Sequence, residues 1–97
     1  MTIQESIINA LKSIKPELAD RFGVRSLGLF GSVTRQDFSP DKSDVDIIVE
    51  FSRPIGIEFI DLADYLESKI NRKIDLVSKR GIKKQYLEAI EGEIIYV

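Results

Sequence analysis

Between Ser43 and Phe51 the chain reads SDVDIIVEF, with Val45, Ile47, Val49 and Phe51 alternating against Asp44, Asp46, Ile48 and Glu50. Period two is the mark of a β-strand. A strand must find partners for its backbone N–H and C=O groups, so this segment demands neighbours. Three apolar runs supply them: Val24 to Phe30 (VRSLGLF), Ile74 to Val77 (IDLV) and Ile94 to Val97 (IIYV). At 97 residues, a chain of this size buries roughly 60–65% of the surface its unfolded form exposes. That supports one modest core, and residues 1–97 read as one domain.

Helical spacing fills the remainder. Ile3, Ile7, Leu11, Ile14, Leu18 and Phe22 form one stripe, and Thr2 with Glu5 fits a capping box at its start. Pro16 is expected to end that helix at Lys15 or to kink it, and Gly23 to stop any helical stretch beyond the proline. A brief helical turn is expected from Ser32 to Gln36, and turn chemistry over Phe38, Ser39, Pro40 and Asp41. A second helix over Ile57 to Ile70 carries Phe59, Leu62, Ala63, Leu66 and Ile70 on one face. Ser78 to Gly81 reads as a loop. A third helix over Ile82 to Glu91 places Ile82, Tyr86 and Ile90 four apart and is closed by Gly92. Tyr65, Tyr86 and Tyr96 are expected to complete the core. The alternation α-β-α-β-α-β fits a small sheet covered by helices, in the α/β (α+β) class.

What the chain lacks narrows its chemistry. There is no cysteine and no histidine. A disulfide scaffold, a thiolate nucleophile, a zinc ribbon and the commonest general base are therefore excluded. Catalysis must run on carboxylates, hydroxyls, backbone amides and a hard cation. A formal net charge of −2 argues against nucleic-acid binding driven by bulk positive charge. No apolar run approaches a membrane span, and the opening MTIQESIINALKSIKP shows no signal-peptide pattern, so the expected address is the cytoplasm.

The sharpest chemical feature is Asp44 with Asp46. Positions i and i+2 of a strand point to the same side, so both carboxylates stand together while Val45 and Ile47 face the core. Two such charges about 4 Å apart repel by roughly 4 kcal/mol at an effective dielectric near 20. Asp75 interrupts another apolar strand, where an unpartnered charge is expensive. If the two strands adjoin, three carboxylates converge on one point. Oxygen-only ligands suit Mg²⁺ or Mn²⁺, which bridge to substrate phosphates. Gly31-Ser32, ending a strand, presents backbone N–H groups and a hydroxyl to an anion, although it is not a Walker A loop. Taken singly, Ser32 reads as a cap, Gly31 as a turn, Asp44 and Asp46 as a solvated strand face, and Asp75 as half of an ion pair. Arg35 fits either a phosphate contact or a brace for Asp37 or the carboxylates. Lys79, Arg80, Lys83 and Lys84 read as a solvated helix start, with a phosphate or partner patch as the alternative.

Gly31-Ser32, eleven residues, Asp44-Val45-Asp46 and then Asp75 in the next strand resemble the DNA polymerase β nucleotidyltransferase superfamily. Within it, LFGSVTRQDFSPDKSDVDIIVEF and the closing KIDLVSKRGIKKQYLEAIEGEIIYV are similar to the minimal nucleotidyltransferases. These are the antitoxin halves of prokaryotic HEPN/MNT toxin–antitoxin pairs. Members usually have ten residues where this chain has eleven, and the extra one falls in the turn around Ser39 to Lys42.

The resemblance implies the polymerase β-like fold, a small mixed sheet flanked by helices. It implies Asp44, Asp46 and Asp75 as catalytic, Mg²⁺-binding carboxylates, Asp75 being able to accept the proton of an attacking hydroxyl. Gly31 and Ser32 would hold the triphosphate of ATP, with Arg35 a further nucleotide-binding candidate. It implies AMP transfer to a tyrosine of a cognate HEPN toxin, an all-α ribonuclease. Two alternatives differ in kind: an antitoxin that neutralises by binding alone, and a transferase acting on an RNA 3′ end.

Overall fold

The computed structural model describes residues 1–35 and 38–97. The elements run α1 (Ile3–Phe22), β1 (Val24–Phe30), a 3₁₀ turn (Gly31–Thr34), β2 (Val45–Phe51), α2 (Glu58–Ile70), β3 (Ile74–Ser78), a 3₁₀ turn (Lys79–Gly81), α3 (Lys84–Ile90), a 3₁₀ turn (Glu91–Glu93) and β4 (Ile95–Tyr96). No α-helix separates β1 from β2 among the described residues, so the expected strict alternation is broken there. The two strands instead pair directly, antiparallel.

The four strands are ordered β3-β2-β1-β4. β2 pairs with β3 in parallel, which requires the crossover through α2, while β1 runs antiparallel to both β2 and β4. The sheet is thus mixed, with helices against it. Val45, Ile47 and Val49 of β2 face the main core, built with Ile7, Leu11, Leu18 and Phe22 of α1 and Leu62 and Leu66 of α2. The opposite face carries a smaller cluster in which Ile48 meets Phe30 and Ile90. This second cover accounts for the breakdown of burial alternation in mid-strand: Ile48 is buried, whereas a strand wet on one face would expose it.

Thr2 caps α1 as expected. Its hydroxyl accepts from Glu5 N–H at 3.0 Å and its own N–H donates to the Glu5 carboxylate at 3.2 Å. Pro16 does not end the helix at Lys15; α1 continues to Phe22, and Gly23 stops it in the left-handed conformation. The reason is burial beyond the proline. Leu18 and Phe22 continue the stripe of Leu11, and each contributes about 1.5–3 kcal/mol against the roughly 3 kcal/mol that an interior proline costs.

Other expectations shift by a residue or two. The central strand starts at Val45, two residues after Ser43, and α2 starts at Glu58. α3 is shorter than Ile82 to Glu91: Ile82 and Lys83 are extended, so it starts at Lys84, and Glu91–Glu93 tightens into a 3₁₀ turn that takes in Gly92. Residues Lys79–Gly81 also wind as 3₁₀. Tyr65 packs on the main core, but Tyr86 and Tyr96 do not complete it, being 57% and 47% exposed. The turn expected from Ser32 is present as Gly31–Thr34; its expected end at Gln36 lies outside the described residues. Among the described residues no helix is long and apolar enough to cross a membrane.

Candidate active site

Strand direction decides which residues meet. β2 and β3 run one way, and so does β4, since both β2 and β4 are antiparallel to β1. One edge of the sheet therefore collects the end of β1 and the beginnings of the other three strands. Gly31 follows β1 directly, Asp44 and Asp46 flank the first residue of β2, Asp75 is second in β3, and Glu93 lies just ahead of β4. Five residues scattered over the sequence arrive at one edge for this reason alone.

Register then sets the lateral neighbours. Asp46 lies opposite Asp75 across the parallel pair and opposite Phe30 across the antiparallel one. Directly paired residues project to the same face, so the carboxylates of Asp46 and Asp75 share a face, joined by Asp44 two residues upstream. Val45 N–H donates to Lys73 C=O at 3.0 Å, fixing the start of β2 against the entry to β3. The turn that feeds β2 is also held. Ser39 C=O accepts from Lys42 N–H at 3.2 Å and Ser43 N–H at 2.8 Å, and Ser43 Oγ accepts from Ser39 N–H at 3.1 Å.

Gly31 makes the close approach possible. Its φ is +73°, a left-handed value that side chains resist, and a Cβ there would lie 2.1 Å from Asp46 Oδ2. The glycine is therefore held beside the central carboxylate. Thr34 Oγ1 donates to Gly31 C=O at 2.6 Å and Arg35 N–H to Ser32 C=O at 3.0 Å, which winds the Gly31–Thr34 turn tightly. Gln4 of α1 braces it by donating to Val33 C=O at 3.0 Å.

The electrostatics single out Asp46. Asp44 and Asp75 are exposed and Asp46 is half-buried. Burial first, then the charges of Asp75 and Asp44, push the Asp46 carboxyl above its ordinary 3.8. Arg35 opposes that shift and Glu93 adds to it. The ion-pair alternative for Asp75 is not realised among the described residues. Arg35 follows neither sequence expectation alone. Its guanidinium pairs with Glu93 at 3.1 Å while its charge steadies Asp46, and the suggested brace to Asp37 lies outside the described residues.

Among the described residues no three acidic side chains are already drawn into a chelating cluster. What the structure supplies is the register. The donor set is all oxygen, two like charges crowd the central one, and a glycine lets the backbone lie close against its carboxylate. That chemistry fits a hard divalent cation. Glu93 is a member of this edge that sequence reasoning misses. Only the direction of β4 reveals it, because the sequence shows no more than an acid beside Gly92.

The nucleotidyltransferase domain model matches residues 11–97. This chain belongs to that family. The nucleotidyltransferase is 41% identical over its full length to the protein adenylyltransferase MntA of Thermococcus cleftensis, of which it covers 98%. It is also 41% identical to a Methanocaldococcus jannaschii protein bearing a protein adenylyltransferase name, over 99% of this chain and 98% of that one. Among solved structures it resembles one described as a minimal nucleotidyltransferase, with a TM-score of 0.78 and 27% identity, covering 98% of this chain and 95% of that chain. The fold is shared too with a mutant MntA–HpeT toxin–antitoxin structure, at a TM-score of 0.65 and 22% identity, over 96% of this chain and 70% of that one.

Proposed function

We propose that this nucleotidyltransferase is the antitoxin of a toxin–antitoxin pair and transfers AMP from ATP to a tyrosine hydroxyl of a cognate HEPN-type toxin, residues 1–97 acting as one catalytic domain. The observation that carries the reading is the lateral pairing of Asp46 with Asp75, beside Gly31, whose lack of a side chain lets the backbone lie directly against the Asp46 carboxylate. Kinship with proteins named as adenylyltransferases over the full chain supports the adenylyl group and the protein acceptor.

Each residue has a task that follows from its place. Gly31 N–H, the Ser32 hydroxyl and the Arg35 guanidinium face the oxygens of the triphosphate as donors. Asp44, Asp46 and Asp75 would hold Mg²⁺, which would supply charge neutralisation to the phosphates. The acceptor oxygen attacks the α-phosphorus, a P–O bond forms, and the bond to the departing pyrophosphate breaks. Asp75, exposed at the sheet edge, takes the hydroxyl proton. Asp46, deepest of the three, fixes the geometry.

The test is to incubate the protein with labelled ATP, Mg²⁺ and its candidate toxin, alongside an Asp44→Ala/Asp46→Ala variant. Label on a toxin tyrosine, lost in the variant, is expected. Neutralisation of the toxin without label would reassign the protein as a binding antitoxin, and label on RNA would make it an RNA 3′-end transferase.

A further inference from the structure

Two of the three donors assigned to the triphosphate are already engaged by a side chain of this same protein. Gly31 N–H donates to Glu93 Oε1 at 3.2 Å. Arg35 Nη1 donates to both oxygens of the same carboxylate, at 3.1 Å to Oε2 and 3.4 Å to Oε1. A carboxylate and a phosphate offer donors the same thing: an anionic pair of oxygens. We propose that Glu93 stands in the place of a nucleotide phosphate and is displaced when a triphosphate binds. The inference rests on the reading that Gly31 and Arg35 receive the triphosphate.

The architecture around Glu93 suits a group that must leave. It belongs to the 3₁₀ turn Glu91–Glu93, which is followed by a strand of two residues. That strand pairs with β1 at Gly28 with Tyr96 and at Leu29 with Ile95, and Val97 N–H adds a bond to Leu27 C=O at 2.9 Å. The Glu93 side chain is 31% exposed and that of Arg35 51%, so solvent and a competing anion reach the pair. Ion pairs this accessible are weak, which lets a polyanion replace the carboxylate. The same contact keeps the donors from lesser anions while no triphosphate is present.

A competitor tethered to the same chain lowers apparent affinity by the fraction of molecules in which it occupies the site. The experiment measures ATP binding in EDTA, and again with Mg²⁺, by calorimetry for the wild type, Glu93→Gln, Glu93→Ala and Glu91→Gln. Glu91 carries the same charge in the same turn, while the Gly31 N–H is taken by Glu93. Both Glu93 variants are expected to bind ATP roughly three- to tenfold more tightly, with Glu91→Gln within about twofold of wild type.

Equal or weaker binding by both Glu93 variants overturns the proposal, as does an equal gain in Glu91→Gln, which would reduce the effect to net charge. The two Glu93 replacements guard against one that perturbs the turn, and thermal melts identify it. ATP binding that is the same in wild type and Glu93 variants removes the displacement alone. Absence of ATP binding in every variant, with and without Mg²⁺, removes the nucleotide reading with it.

Discussion

Replacing Gly31 by alanine tests the geometry of the site at one atom. The residue sits at φ +73°, where an L side chain costs about 1–2 kcal/mol. The added Cβ would also fall 2.1 Å from Asp46 Oδ2, so the carboxylate must retreat by roughly 1 Å or more to reach ordinary contact. The two penalties fall on different observables. Backbone strain lowers stability, and for a domain of this size 1–2 kcal/mol corresponds to a melting temperature about 4–16 °C lower. The displaced carboxylate lowers activity, since a shift of about 1 Å in a positioned group is enough for a roughly 100-fold loss.

The assay pairs thermal melts with labelled adenylyl transfer, using Gly56→Ala as the reference. A Cβ at Gly56 meets nothing within 4 Å and its φ lies outside the strained range, so that variant should behave as wild type. If Gly31→Ala melts and transfers like Gly56→Ala, the close approach to Asp46 does not exist. If it loses stability but keeps full transfer, Asp46 is not positioned for chemistry by this contact.

Two more perturbations probe the same edge and the first helix. Asp46→Asn should abolish transfer yet raise the melting temperature at pH 7. The carboxyl is held above its ordinary 3.8 by burial, Asp75 and Asp44, so the stability contributed by its protonated form is complete below 3.8 and lost as pH rises through the elevated folded value. The stabilisation by asparagine should accordingly shrink towards pH 3 in a melt series, and a gain that does not vary with pH would remove the electrostatic explanation. Pro16→Ala should stabilise the chain by about 1–2 kcal/mol. It restores a helical N–H inside α1, offset by greater freedom in the unfolded state, and urea denaturation reads the difference.

The sheet and most of the site are legible in the sequence because their signals are local. Alternation locates Val45–Phe51, the apolar run locates Val24–Phe30, and same-face spacing pairs Asp44 with Asp46. The helix through Pro16 is not legible, since the burial of Leu18 and Phe22 that outweighs the proline is a tertiary fact. Tyr86 misleads for a related reason. Helical spacing with Ile82 and Ile90 places it on a stripe, but α3 is short and covers only the small second cluster. Glu93 is invisible because its role depends on the direction in which the last strand joins β1, and no residue near it encodes that direction. Arg35 reads as a phosphate or carboxylate contact without its partner, which lies 58 positions away.

The chain leaves the sheet after Phe30 and re-enters it at Val45, and the pairing of Phe30 with Asp46 clasps the two points together. Any excursion between them must come back to the same clasp. Closing a longer excursion grows only logarithmically more expensive, so an extra residue in the turn around Ser39 to Lys42 costs little. A protein built this way can accept an added residue in the turn before its central strand without moving the strands that flank it.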